Sequence, residues 1–91
     1  MEAQKVIVKS TGMPNDMQEH AIKSCIKAMR ILRHDKDVAS LLKKEFNDKY
    51  GRTWHCIVGS NYGSNVSHID EGLIYFFVDR KSVLLFRTEC A

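Results

Sequence analysis

The hydrophobic positions change period along this chain. Val6, Ile7 and Val8 form a short β-branched run between Lys5 and Ser10, the pattern of an edge strand. Thr11-Gly12 breaks the run, and Pro14 suits the first turn of a helix, where its missing N–H costs nothing. From there to about Arg33, Met17, Ala21, Cys25, Ala28 and Leu32 recur at helical spacing, and Ile22, Ile26 and Met29 widen the stripe. His34-Asp35-Lys36-Asp37 interrupts it, with Asp35 the expected N-cap of a second helix. In that helix Val38, Leu41, Leu42, Phe46 and Tyr50 continue the spacing up to Gly51, a suitable residue past a helix end. So short a connection predicts near-antiparallel helices.

After Gly51 the helical period stops. Trp54-His55-Cys56-Ile57-Val58 predicts a strand ending at Gly59. Leu73 to Val78 and Ser82 to Phe86 predict two more, joined as a hairpin through Asp79-Arg80-Lys81. The stretch from Ser60 to His68 is polar and turn-rich. As a weak strand it points Tyr62, Ser64, Val66 and His68 one way and Gly63, Asn65 and Ser67 the other. Such a segment buries little by itself, so it is either a surface loop or an edge open to a partner strand. The order β-α-α-β-(weak β)-β-β gives an α+β class, with two helices packed on an antiparallel sheet.

Length and composition narrow the picture. The 91 residues make one domain spanning 1–91, and 44% hydrophobic with 27% charged residues argue against a disordered or collagen-like chain. A chain this short buries only about 60–65% of its unfolded surface, which makes oligomerisation a source of added stability. The longest apolar stretch, Leu73 to Val78, is far below the roughly 20 residues that span a bilayer. Met1-Glu2-Ala3-Gln4-Lys5 lacks the basic start and apolar core of a signal peptide. Cys25, Cys56 and Cys90 are odd in number and widely spaced, so the expectation is a soluble intracellular domain with reduced thiols.

The net charge of +3 sits in the first half, where ten basic residues face seven acidic ones across positions 1–50. Lys23, Lys27 and Arg30 share one helix face. Glu19, Asp35, Asp37, Glu45 and Asp48 dilute the field, which reads as a solvated face rather than a nucleic-acid surface.

Catalytic and metal constellations are not legible. His55 and Cys56 are neighbours in a strand, so their side chains leave opposite faces and cannot form a nucleophile–base dyad. Zinc-type Cys and His spacings are missing, and Asp35 with Asp37 lacks the rest of a calcium loop. Gly59 to Ser64 resembles a phosphate loop only superficially, because no Gly-Lys-Ser/Thr and no helix follows. The expectation is a protein without cofactor, metal or catalytic residue.

A family resemblance supplies what spacing leaves open. Lys43-Lys44-Glu45-Phe46, Tyr50, Thr53-Trp54-His55-Cys56-Ile57-Val58-Gly59 and Asn61-Tyr62-Gly63-Ser64 with Val66 resemble the small dynein light chain family. Ile74-Tyr75-Phe76 and Leu84-Leu85-Phe86 fit its last two strands, and the match is ungapped over nearly the whole chain. The resemblance implies a homodimer in which each subunit lends its weak strand, about Tyr62 to Ser67, to the sheet of the other. His55, Gly59, Asn61, Tyr62, Ser64 and Val66 are then interface residues. Two grooves result, each taking an extended Thr-Gln-Thr-like segment of a disordered partner such as the dynein intermediate chain.

By the same resemblance, Asp35 and Lys36 receive the motif glutamine at the start of the second helix. Tyr62, Gly63, Ser64, Asn65, Val66, Ser67, His68, Leu73, Tyr75 and Phe77 line the groove. Protonation of His55 is implied to disfavour the dimer. The location implied is cytoplasm and cytoskeleton, or the axoneme. Departures from the family pattern are Asn65 for an aromatic residue, Leu73 for Phe, Phe77 for Tyr, Ser67 for Thr, Arg52 for a frequent proline and Asp79 for a frequent glycine. Thr88 stands near a serine proposed for phosphorylation in some members. The groove changes leave open a divergent paralogue that serves a dynein-independent cytoskeletal or membrane-associated assembly.

Overall fold

The computed structural model describes residues 5–60 and 72–88. The weak strand expected over Tyr62–Ser67, together with Asn61 and His68, lies outside them. The elements run β1 (Val6–Thr11), α1 (Asn15–Ile31), α2 (Asp35–Tyr50), β2 (Trp54–Ser60), β3 (Leu73–Val78) and β4 (Lys81–Arg87). All pairings are antiparallel, and the strand order is β1-β3-β4-β2. Two helices packed on an antiparallel sheet make this the α+β fold that the hydrophobic pattern predicts.

Local chemistry moves the element ends. Asp35 is the first residue of α2, and His34 takes the cap position. The His34 carbonyl accepts the N–H groups of Asp37 and Val38 at 3.0 and 3.1 Å. The Asp35 side chain is therefore free of the capping role the sequence assigned to it, though a carboxylate in the first turn still complements the helix dipole. Gly51 ends α2 at φ 85°, a backbone region that favours glycine. The β3–β4 hairpin is tighter than expected, because Lys81 joins β4 and only Asp79 and Arg80 turn. Asp79 takes φ 54°, where glycine is common, and is held by its surroundings. Its carboxylate accepts the Lys5 N–H at 3.0 Å, and its own N–H donates to the Lys5 carbonyl at 2.8 Å.

The helices cover one face of the sheet. Val38, Leu42 and Phe46 of α2 and Ala21, Cys25 and Ala28 of α1 pack on Trp54, Ile74, Phe76, Val78, Val83 and Leu85. Phe46 is the hub of the aromatic cluster: its ring centroid lies 4.9 Å from Trp54, 5.0 Å from Tyr50 and 5.0 Å from His20. The helices run antiparallel, since early α1 meets late α2. His20 Nδ1 lies 3.2 Å from the Tyr50 hydroxyl, and the Ser24 hydroxyl donates to Glu45 at 2.8 Å. Among the described residues no helix is long and apolar enough to cross a membrane.

Candidate functional site

Strand geometry sends alternate side chains to opposite faces, so the helices bury only half of each strand. Trp54, Cys56 and Val58 of β2 face the helices; His55, Ile57 and Gly59 face away. The register carries this across the sheet. His55 pairs with Phe86, Ile57 with Leu84 and Gly59 with Ser82. On the next strand Leu73 opposes Phe86, Tyr75 opposes Leu84 and Phe77 opposes Ser82. The face turned from the helices is thus built of Ile57, Leu73, Tyr75, Phe77, Leu84 and Phe86, with the His55 ring stacked 5.3 Å from Phe86. A bulge in β1 between Val8 and Ser10 leaves Lys9 unmatched, and its ammonium sits 5.7 Å over the Phe77 ring. Within the subunit Tyr75 of this face is buried and Leu73, Phe77, Leu84 and Phe86 are half-buried, while Ile57 is exposed.

β2 adds a second unfinished surface. It stands at the end of the strand order and bonds only to β4 among the described residues, so its outer row of N–H and C=O groups faces outward. Beside that edge lies a cavity of about 340 Å³. Asp35, Lys36, Ala39, Ser40 and Lys43 of α2 form one wall, and Cys56, Ile57 and Val58 of β2 form the other. At its rim the Lys81 ammonium meets both Asp35 carboxylate oxygens, at 2.9 and 3.2 Å, and the Ser60 hydroxyl at 3.0 Å. The chemistry available is main-chain pairing along β2, with a polar, partly cationic pocket for a side chain at the start of α2.

Burial keeps Cys56 in the thiol form. Burial, with Cys25 nearby adding to it, pushes its thiol from the ordinary 9.0 to about 12. Burial does the same to Cys25. Both thiols are therefore protonated at neutral pH and slow to react. Iodoacetamide at neutral pH is expected to label Cys56 of the native protein about a hundredfold or more slowly than that of the denatured chain, as read by peptide mapping. Comparable labelling rates would count against a core thiol. Because the folded pKa lies above the unfolded one, the stability held by these thiols is complete below pH 9.0 and is lost as pH rises toward about 12.

The predicted site residues that the structure describes fall in two places. Asp35 and Lys36 line the cavity; His55 and Gly59 lie on the outward face of β2; Leu73, Tyr75 and Phe77 lie on that of β3. Asn61, Tyr62, Gly63, Ser64, Asn65, Val66, Ser67 and His68 fall outside the described residues. Sequence reasoning missed Ile57, Leu84, Phe86 and Lys81. The unbroken apolar runs of β3 and β4 were the available signal for a sheet covered on both sides. The reach of Lys81 to Asp35, 46 positions away, left no trace in spacing.

The fold is a two-helix α+β domain in which β2 forms the edge of the sheet among the described residues. The family model for Dynein light chain type 1 matches residues 5–88. A cytoplasmic dynein light chain of Emericella nidulans is 43% identical over 82 residues, covering 90% of this chain and 87% of that one. Two structures of the dynein light chain-like domain of the Fasciola hepatica calcium binding protein FhCaBP2 share the fold. Their TM-scores are 0.76 and 0.78 at 25% and 26% identity, over 98% and 97% of this chain and 97% and 95% of those. The chain belongs to the dynein light chain family.

Proposed function

We propose that this protein is a non-catalytic, homodimeric light-chain subunit of a dynein motor that binds short linear motifs by strand addition and dimerises their carriers. The observation that carries the reading is β2, whose outer edge bonds to no other strand among the described residues. A strand from about Tyr62 to Ser67 of the partner completes the edge, and the outward faces of two sheets cover each other. A peptide then adds beside the lent strand, against the start of α2. Main-chain bonds give affinity with little sequence demand, and the pocket at Asp35 and Lys36 gives selection. Two grooves on one dimer favour bivalent partners, the dynein intermediate chain among them. The cytoplasmic relative supports a cytoplasmic location.

His55 lies on the face assigned to the dimer, with Nε2 3.1 Å from the Thr88 hydroxyl. Leu73 and Phe77, both assigned to the groove by the resemblance and both different from the family pattern, support a shifted motif preference.

The test is a calorimetric titration with a Thr-Gln-Thr peptide, alongside a light-scattering mass in the same buffer. The expected result is one peptide per subunit of a dimer. A folded dimer that gives no heat and no competition would remove the motif from the proposal, and a monomer would remove the strand exchange.

A further inference from the structure

We propose that Lys81 sets the charge preference of the groove: by holding Asp35, it makes the cavity at the start of α2 receptive to an acidic peptide side chain. The inference rests on the peptide-binding reading above and names a residue that acts through another rather than on the ligand directly.

Lys81 opens β4 and lies opposite Ser60 of β2 and Val78 of β3, on the helix side of the sheet. From there its ammonium spans to α2, with its three contacts divided between the two Asp35 oxygens and the Ser60 hydroxyl. The ammonium donates to one Asp35 oxygen and to the Ser60 hydroxyl, and lies 2.9 Å from the other Asp35 oxygen. The two side chains are 39% and 34% exposed, so the pair contributes little stability. Its consequence is the charge left over. The cavity wall carries three ionised groups, Asp35, Lys36 and Lys43. With Asp35 neutralised by Lys81, which stands outside the lining, the uncompensated charges are two lysines, and the positive end of the α2 dipole adds to them. An acidic side chain entering there meets no free carboxylate. Freed from Lys81, Asp35 would repel it at close range in a partly desolvated site.

Two peptides test this, identical except for Gln or Glu at the centre of the Thr-Gln-Thr triplet. Their affinities are read by fluorescence anisotropy at low salt on the full chain. The wild type is expected to bind the two within about threefold of each other. Lys81→Met is expected to weaken the Glu peptide by about tenfold or more while moving the Gln peptide by less than about threefold. Adding Asp35→Asn to Lys81→Met should restore the wild-type ratio, and Lys81→Arg should keep it. Equal losses for both peptides, or a ratio unmoved by Lys81→Met, would overturn the proposal and reduce Lys81 to a structural tie. A wild type that binds neither peptide would instead bring down the peptide-binding reading, and this inference with it.

Discussion

Ile57→Lys is expected to leave the subunit folded and to weaken its self-association by about a hundredfold or more, because a charge would have to be buried without a partner. Ile57 is 50% exposed in the single subunit, on the outward side of β2 and opposite Leu84. Lysine is well tolerated on an exposed strand edge, so the monomer should lose little. The cost arises only when a second sheet arrives. Burying an unpaired ammonium costs several kcal/mol, and each 1.4 kcal/mol is about tenfold in affinity. Sedimentation or light scattering across a dilution series reads the change, with Trp54 fluorescence and circular dichroism reporting the fold. Bivalent peptide capture should fall in parallel, since the proposed groove needs a second subunit. A variant that keeps the wild-type dimer mass at low concentration would show that the apolar face is covered by something other than a second copy.

The residues that make this prediction possible were unevenly visible in the sequence. Both helices follow from the recurrence of Met17, Ala21, Cys25 and Ala28 and of Val38, Leu42 and Phe46, and each of these is in or against the observed core. β3 follows from the apolar run Leu73 to Val78, which the strand occupies in full. What spacing could not supply is which strands become neighbours. β2 pairs with β4 and not with β3, which follows it among the described strands, and that topology alone turns β2 into an edge. Long-range pairing also hid the cavity, whose walls come from α2 and β2. Asp35 looked like a cap because it is an acidic residue at a helix start. It lies one residue inside the helix, behind His34 at the cap position, and its carboxylate meets Lys81 at 2.9 Å. The resemblance, and not periodicity, pointed to Asp35 and Lys36 as site residues.

The other large effect belongs to the core. Phe46→Ala is expected to cost about 3–5 kcal/mol, the usual range for emptying a large buried aromatic site. Phe46 is wholly buried and is the residue on which His20, Tyr50 and Trp54 all pack, so neighbours on three sides cannot all move in to fill the void. Domains have only about 5–15 kcal/mol to lose, and small ones lie near the lower end. At about 4–8 °C per kcal/mol for a chain of this size, the melting midpoint should fall by at least about 12 °C. Phe46→Leu keeps most of the volume and should cost only about 1–2 kcal/mol, which separates packing from ring stacking. Association stabilises the folded subunit by mass action, so the melts need more than one protein concentration. Combined with Ile57→Lys, the alanine variant loses that support as well and should be largely unfolded at 37 °C, whereas Ile57→Lys alone stays folded. A double variant that still melts cooperatively near the wild-type midpoint would mean that the aromatic cluster is peripheral and that the stability resides in the sheet.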